Sequence, residues 1–199
     1  MANTNAFPFD AIQQSDGSYD REFTSNDFAS YFNKILTNGV FASVGNSLRV
    51  DADNNSMFVT IKDGAVFING RVREWTFDEQ IRVTNSNDTF DRIDAVVARL
   101  DLINRQITLA IVEGSASAVP TAPAITQTDD LYELCLAEIY VGSGVTLISQ
   151  ANVTDKRDSS LCGYVSSLVS EDVAEVLDKF LNATNESDIE EALDGILGV

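Results

Sequence analysis

The residues that could carry out acid–base chemistry in this sequence are carboxylates, because the chain contains no histidine. Asp91 and Asp94 flank Arg92, and paired carboxylates hydrolyse glycosides when they face each other across a cleft. Side chains three residues apart on a strand point to opposite faces, so we do not expect these two to converge. The pattern favours a structural ion pair or a turn cap, and we predict that the protein is not an enzyme.

A second set of carboxylates has the spacing that opens a calcium loop. Asp51, Asp53 and Asn55 occupy the first, third and fifth positions of that pattern. The pattern then fails, because Ser56 stands where glycine is required and Lys62 stands where a bidentate glutamate belongs. We interpret DADNNS as a polar hairpin tip and predict no metal and no cofactor.

Arg71, Arg73 and Trp75 alternate along one predicted strand and therefore share a face. Such a row could form a cation–π ladder, or a platform that binds sugars. Because Trp75 is the only tryptophan, an exposed ladder on a sheet is the commoner interpretation of this pattern. The sugar-binding alternative stays open and would make these three residues a glycan-binding face.

The amino-acid composition limits the classes of partner that this protein can bind. The 199 residues include 31 Asp and Glu against 13 Lys and Arg, a net charge of −18, which disfavours binding to nucleic-acid phosphates. Apolar residues make up 44% of the chain, enough for a sizeable core, yet no apolar run is long enough to span a membrane. The first residues do not resemble a signal peptide, so we expect synthesis in the cytoplasm. Cys135 and Cys162 form no CxxC pair, and we expect two reduced thiols.

The elements that must position these residues are one helix and a series of short strands. Thr24 and Asp27 resemble a capping box, and Asn38-Gly39 is a candidate helix stop. The helix between them has one apolar face, which we predict packs on a sheet: Phe28, Tyr31, Phe32, Ile35 and Leu36.

Strand patterns follow from Ser47 to Ser149. Asp63-Gly64 and Asn69-Gly70 are typical of tight hairpin turns, and Ile103-Asn104 lies in the turn of a longer hairpin. The run RIDAVVARLDL is apolar on both faces, which is typical of a strand inside a sandwich. The last two predicted strands are LYELCLAEIYV and VTLIS. We predict a mainly β protein, an antiparallel β-sandwich with one packed N-terminal helix.

After Gly163 the sequence has the 3.6-residue period of helices, with nine acids and one base up to Val199. Each predicted helix is short and has a narrow apolar stripe, which is marginally stable without a partner surface. We therefore predict that this segment oligomerises. Its predicted interface comprises Val173, Val176, Leu177, Phe180, Leu181, Ile189, Leu193 and Ile196.

The order of the segments is more specific than any one of them. DFASYFNKILTNGVF is followed by MFVTIKDGAVFINGR, then DRIDAVVARLDL, a proline-containing loop, YELCLAEIYV and NVTDKRD. From about residue 20 to residue 163, this order closely resembles tail and baseplate structural proteins of phages and prophages of Gram-positive bacteria. The match is to their receptor-binding-protein shoulder or upper-baseplate adaptor type.

The resemblance implies a β-sandwich shoulder module that is part of a homotrimer in the virion and links the tail to a host-attachment fibre or receptor-binding protein. Residues 1–20 would form an N-terminal arm, 21–163 the shoulder domain and 164–199 the helical oligomerisation segment. Partners would be other tail or baseplate proteins. The alternative is a module that binds host cell-wall polysaccharide directly. The matching positions would determine the fold rather than contact a receptor: Phe28 and Phe32 of the helix, Asn38 to Phe41, Asn69-Gly70, Asp91 to Asp94, and Asp155 with Arg157.

Overall fold

The computed structural model describes residues 10–20 and 23–168, which form a mainly β fold with antiparallel sheets and one helix. In chain order the elements are α1 Ser25–Phe32, β1 Gly39–Val40, β2 Val50–Ala52, β3 Phe58–Ile61, β4 Gly64–Ile68, β5 Arg71–Trp75, β6 Glu79–Arg82, β7 Arg92–Asp101, β8 Gln106–Val112, β9 Leu131–Val141, a 3₁₀ turn Gln150–Asn152 and β10 Val153–Asp155. The fold class predicted for this part of the chain is confirmed. The predicted oligomer interface, from Val173 onward, lies outside the described residues.

Three antiparallel sheets surround a common core. Their strand orders are β1-β4-β5, β2-β3-β6 and β10-β9-β7-β8. Buried apolar side chains from all three sheets form one cluster, which includes Val66, Val59, Val96 and Leu136. The three sheets therefore pack in a sandwich-like arrangement around this core.

The central strand β7 is buried on both faces, as its sequence predicts. Val96, Ala98 and Leu100 contribute to the main core, while Ala95 and Val97 contribute to a smaller cluster on the other side. That second face is covered by the proline-containing loop, through Ile125 and through the Thr126 amide, which donates to Glu133. The loop thus acts as a cover for the sheet rather than as a strand of it.

Helix α1 begins as predicted but packs differently. Thr24 and Asp27 form a complete capping box. Phe28, Tyr31 and Phe32 are exposed by 52%, 44% and 44%, whereas Ala29 is the buried residue of the helix. The backbone of the β4–β5 turn lies directly against Ala29, and this close approach leaves no space there for larger side chains. The predicted packing face is therefore wrong for these three aromatics, while Ile35 and Leu36, beyond the helix, are half-buried.

Of the two dipeptides predicted to form hairpin turns, one closes a hairpin and the other does not. Asn69 and Gly70 both have positive φ, 47° and 76°, and close the β4–β5 hairpin as predicted. Asp63-Gly64 does not close a hairpin, because β3 and β4 belong to different sheets. Gly64 instead permits the chain to pass close to the backbone of Leu48, where a Cβ would lie 2.5 Å from the Leu48 nitrogen.

Two further predictions fail where the chain meets distant segments. Gly39 does not end the helix, which ends at Phe32; it starts β1, with its backbone against Tyr164. The run VTLIS is not a strand, because its polar backbone groups bond to separate partners: Ser86 Oγ donates to the Val145 carbonyl, and the Ile148 amide donates to Ser56. The last strand is β10, which pairs with β9.

The described chain ends beside the helix. The Leu168 amide donates to the carbonyl of Ile35, and the Thr37 amide donates to that of Ser166. Contacts of the sheet domain therefore continue past residue 163, the boundary predicted from the sequence. Among residues 10–20 and 23–168, the structure has no helix with the length and hydrophobicity that a membrane span requires.

Candidate functional site: an arginine cleft between two sheet edges

The predicted glycan-binding face is divided by the fold. Trp75 is only 7% exposed and belongs to the main core, so its ring cannot serve as a platform for a sugar. The Arg73 guanidinium lies 4.6 Å from the centroid of the Trp75 ring, so the cation–π contact suggested by the spacing is present. Arg71 and Arg73 face a cleft, and Trp75 lies beneath Arg73.

This cleft, with a volume of about 710 Å³, lies between the edges of two sheets. Three consecutive residues of β5, from Arg71 to Arg73, line one side, and three consecutive residues from Arg105 to Ile107 line the other. Both β5 and β8 are edge strands of their sheets. The N-terminal turn of α1 closes one end with Ser25 and Asn26. We call this feature the arginine cleft.

Two of its three guanidinium groups are held in place by hydrogen bonds. Arg71 donates to the Asn69 carbonyl at 2.9 Å and to Asn26 Oδ1 at 2.6 Å. Arg73 donates to the Ile107 carbonyl, which joins the β5 and β8 edges. A guanidinium has five N–H donors, so each arginine retains donors for a ligand.

Arg105 differs from the other two, because its side chain makes no hydrogen bond or ion pair with the described residues. Its backbone has φ of 54°, a left-handed conformation that is uncommon for residues other than glycine, asparagine or aspartate. None of the described residues that line the cleft is acidic, although the chain has 31 acids. The arginine cleft is thus a local concentration of positive charge on an acidic protein, and anionic groups are the ligands that it can bind.

The two carboxylates of the DRID segment do not converge. Asp94 and Arg92 form a buried ion pair at 2.9 Å, and Asp94 also accepts from the Gly114 amide at 2.9 Å. Asp91 lies at the surface, where it accepts from the Tyr140 hydroxyl and from the Ser143 amide. Of the predicted structural roles, an ion pair or a turn cap, the ion pair is that of Arg92 with Asp94, while Asp91 accepts from the loop at Ser143.

The hydrogen bonds to Asp91 also set its acidity. The Tyr140 hydroxyl, followed by the Ser143 amide, holds the pKa of Asp91 below its usual value because both stabilise the ionised form. The same bond raises the pKa of Tyr140. The bond from Ser143 thus holds the 142–144 loop, and the bond from Tyr140 holds the end of β9, against the start of β7.

The Asp51–Asn55 segment forms the β2–β3 hairpin and its tip, as predicted. Asp51 pairs with Arg49 at 2.8 Å, and Asp53 accepts from Ser56 Oγ at 2.6 Å. Within residues 10–20 and 23–168, no cluster of three or more cysteine, aspartate or glutamate side chains could hold a metal ion.

Both thiols are buried and unpaired with each other. Burial raises the pKa of Cys135 to about 11 and that of Cys162 to about 12. A thiol is nucleophilic only when ionised, so neither group is suited to covalent chemistry near neutral pH. Cys135 packs in the smaller core cluster, consistent with the structural role predicted for it.

The sequence pattern of alternating arginines pointed to β5 but could not identify the rest of the cleft. Arg105 follows a hairpin turn and carries no motif, so only the approach of the β7–β8 turn to β5 places it near Arg71 and Arg73. The sequence also does not predict that Val72 is 59% exposed, because a valine between two arginines is typical of an ordinary strand. Comparison with protein-family models and with curated proteins finds no match to this chain.

Proposed function

We propose that this protein is a non-enzymatic structural component of a phage tail tip or baseplate, in which a homotrimer links the tail to a host-attachment fibre or receptor-binding protein. In this proposal the chain is made in the cytoplasm of the host bacterium and functions in the virion. Its partners are other tail or baseplate proteins.

The main support for the proposal is where the most specific segments of the sequence lie in the fold. DRIDAVVARLDL coincides with β7, YELCLAEIYV with β9, and NVTDKRD contains β10. These three strands are neighbours in one sheet, in the order β10-β9-β7. The most specific segments of the resemblance therefore lie together in one sheet and include its two central strands, β9 and β7, as expected for residues that define a structural module.

Trimer formation follows from the C-terminal sequence pattern. Burying Val176, Leu177, Phe180 and Leu181 of each chain would contribute on the order of 10 kcal/mol per chain before entropy costs. The opposing term is repulsion among segments that each carry nine acids and one base. Salt screens such exposed charges within about 10 Å at 0.1 M, so we expect burial to prevail and association to strengthen as salt rises.

Light scattering after size-exclusion chromatography tests the trimer. We expect three times the 21.6 kDa chain mass at micromolar concentration in moderate salt. Leu177→Asp should shift the protein to smaller species, whereas Lys179→Gln, which changes the net charge by the same amount outside the apolar stripe, should not. A monomer under all salt conditions would refute the trimer.

The virion location has its own test. Antibody against the purified protein, visualised by electron microscopy on phage particles whose genome encodes the chain, should label the tail tip. Labelling of the capsid, or of no particle in a preparation where a known tail protein is labelled, would contradict the proposal.

The carbohydrate alternative is less favoured, because Trp75 is buried and the described cleft lacks an exposed aromatic ring. A structural adaptor should give no heat when titrated with host cell-wall polysaccharide in a calorimeter. Heat that disappears with Arg71→Gln would instead favour the glycan-binding function.

A further inference from the structure

The β5 edge of the arginine cleft offers backbone hydrogen-bonding groups. Ile68 and Arg71 flank the two-residue turn and are a hydrogen-bonded pair, so the next pair, Phe67 and Val72, is not hydrogen-bonded across the hairpin. Phe67 pairs on its other side with Gly39 of β1. The Val72 N–H and C=O correspondingly point away from β4, along the open edge of the sheet.

The matching edge of β8 is already occupied. The Ile107 carbonyl accepts a hydrogen bond from Arg73, so the backbone of β8 is capped at the point where it faces β5. No backbone hydrogen bond joins Val72 to another of the described residues across the cleft. Of the two edges that face this cleft, the one that the described residues leave open to a further strand is therefore that of β5, at Val72.

The side chains of β5 define what such a strand would carry. Arg71 and Arg73 lie on one face and Val72 on the other, where it is 59% exposed. A strand beside β5 would place two of its side chains, two residues apart, opposite the arginines, and the side chain between them opposite Val72. Cross-strand pairs of opposite charge are stabilising, so the complementary pattern is acidic, apolar, acidic.

Pairing of β5 with a second β5 is disfavoured by the same charges. Edge-to-edge association of two copies would bring Arg71 and Arg73 against arginines, and like charges directly opposite one another are destabilising. Arg105 adds a third positive charge from across the cleft. One cation is enough to protect an edge, whereas here two arginines of β5 and Arg105 of the β7–β8 turn converge on a cleft that has no acidic residue among its described lining.

We propose that β5 binds an extended segment of a neighbouring protein as an additional strand, and that the segment has an acidic–apolar–acidic sequence. The segment would accept from and donate to Val72, its acidic side chains would meet Arg71, Arg73 and Arg105, and its apolar residue would cover Val72. Only the identity of the neighbour as another protein of the same assembly rests on the proposed function; the edge and its charges do not.

The test uses the full-length protein and a synthetic peptide, Gly-Glu-Val-Glu-Val-Glu-Gly, with blocked ends. Trp75 is a native reporter, because it is the only tryptophan and lies 4.6 Å from the Arg73 guanidinium. We expect the peptide to change the Trp75 fluorescence in a saturable way. Saturating peptide should also slow hydrogen exchange of the Val72 amide by about tenfold, since that amide becomes hydrogen-bonded.

Two variants separate backbone pairing from charge attraction. Val72→Pro removes the outward N–H at an edge position where proline is tolerated, and should weaken binding about tenfold, whereas Val72→Thr should not. Arg105→Gln should weaken it about fivefold. Arg82→Gln, at an exposed arginine outside the cleft, is the control and should bind as the parent protein does.

Three results would overturn the proposal. The first is no fluorescence change and no protection of Val72. The second is equal affinity for a peptide with the same residues in blocks, Gly-Glu-Glu-Glu-Val-Val-Gly, or for single-stranded DNA, which would mean unspecific attraction of anions. The third is unchanged affinity of both Val72→Pro and Arg105→Gln. Because the assay uses isolated protein, these outcomes are distinct from a failure to find the chain at the tail tip.

Discussion

At the scale of single residues, Gly70 shows how closely the helix approaches the sheet. Its φ of 76° is left-handed, and a Cβ built there would lie 2.1 Å from the carbonyl oxygen of Ala29. The side chains of Asn38 and Asn69 lie beside this contact and hydrogen-bond each other at 2.8 Å. The turn that the sequence places here therefore also positions α1.

Gly70→Ala should destabilise the protein by about 2–3 kcal/mol, because the new methyl group adds a clash with α1 to the strain of positive φ. Gly144→Ala is the matched control: its φ is 66°, but nothing lies within 4 Å of a new Cβ, so only about 1 kcal/mol should be lost. Urea unfolding measures both. Equal losses would show that the approach of α1 adds nothing to the backbone strain.

At the scale of elements, the buried Arg92–Asp94 pair joins the start of β7 to its neighbours. Arg92 donates to the carbonyls of Thr84 and Asn85, and Asp94 accepts from the Gly114 amide. Removing one member leaves the other charge buried without its partner. Arg92→Met should therefore lower the free energy of unfolding by about 3–5 kcal/mol.

The comparison for that variant is the Arg49–Asp51 pair, in which the arginine side chain is half exposed. Arg49→Met should cost less than about 1 kcal/mol, because water replaces an exposed partner. If chemical denaturation gave similar losses for both variants, burial would not be the source of the Arg92 effect.

The contact between β7 and the loop after β9 should depend on pH through Asp91. Its pKa is lowered in the folded state, so the stabilisation is fully present above the unfolded value of about 4 and is lost as the pH falls through the folded value. The urea midpoint of the parent protein should thus exceed that of Asp91→Asn at pH 6, and the difference should shrink toward pH 2. Asp88→Asn, which removes a negative charge from the same connection but no hydrogen bond of Asp91, is the control and should leave the urea midpoint at pH 6 close to that of the parent.

At the scale of the whole molecule, the two thiols report on the integrity of the core. Cys162 lies in the main cluster shared by the three sheets, and Cys135 lies on the opposite face of the β7–β9 sheet. With burial raising the pKa of both thiols, to about 11 and about 12, iodoacetamide at pH 8 should modify neither one in the native protein. Both should react within the same urea transition, as measured by mass spectrometry. Modification of one thiol well below that transition would show that the two faces of the sheet open separately.

The net charge of −18 makes the arginine cleft distinctive at this same scale. The net negative charge of the protein repels an acidic partner at long range. The three guanidinium groups of the cleft can therefore orient such a partner only at short range, where the opposite charges are in direct contact. The edge pairing proposed for β5 combines such contacts with backbone hydrogen bonds, which salt affects less. Together they would allow attachment of a partner without general attraction to other anions.

Much of the fold was predictable because its signals are local. The Thr24–Asp27 capping box, the Asn69-Gly70 turn and the two apolar faces of β7 each depend on residues close in sequence, whose spacing sets the hydrogen bonds or the exposed face. The predictions made from the run VTLIS and the pair Asp63-Gly64 were wrong for the opposite reason. Their sequences suit a strand and a hairpin, but distant segments, Ser86 and Leu48, decide what their backbones meet.

The sequence by itself therefore determined the β class, the start of the helix, the main turns and the grouping of Arg71 with Arg73. Only the tertiary structure decided that Trp75 is buried, that Ala29 rather than Phe28 faces the sheet, and that Arg105 joins the other arginines. The physical reason is that period and turn chemistry act over a few residues, whereas burial and convergence depend on which sheets pack together. An open edge such as that of β5 exists only once the order of the strands is set.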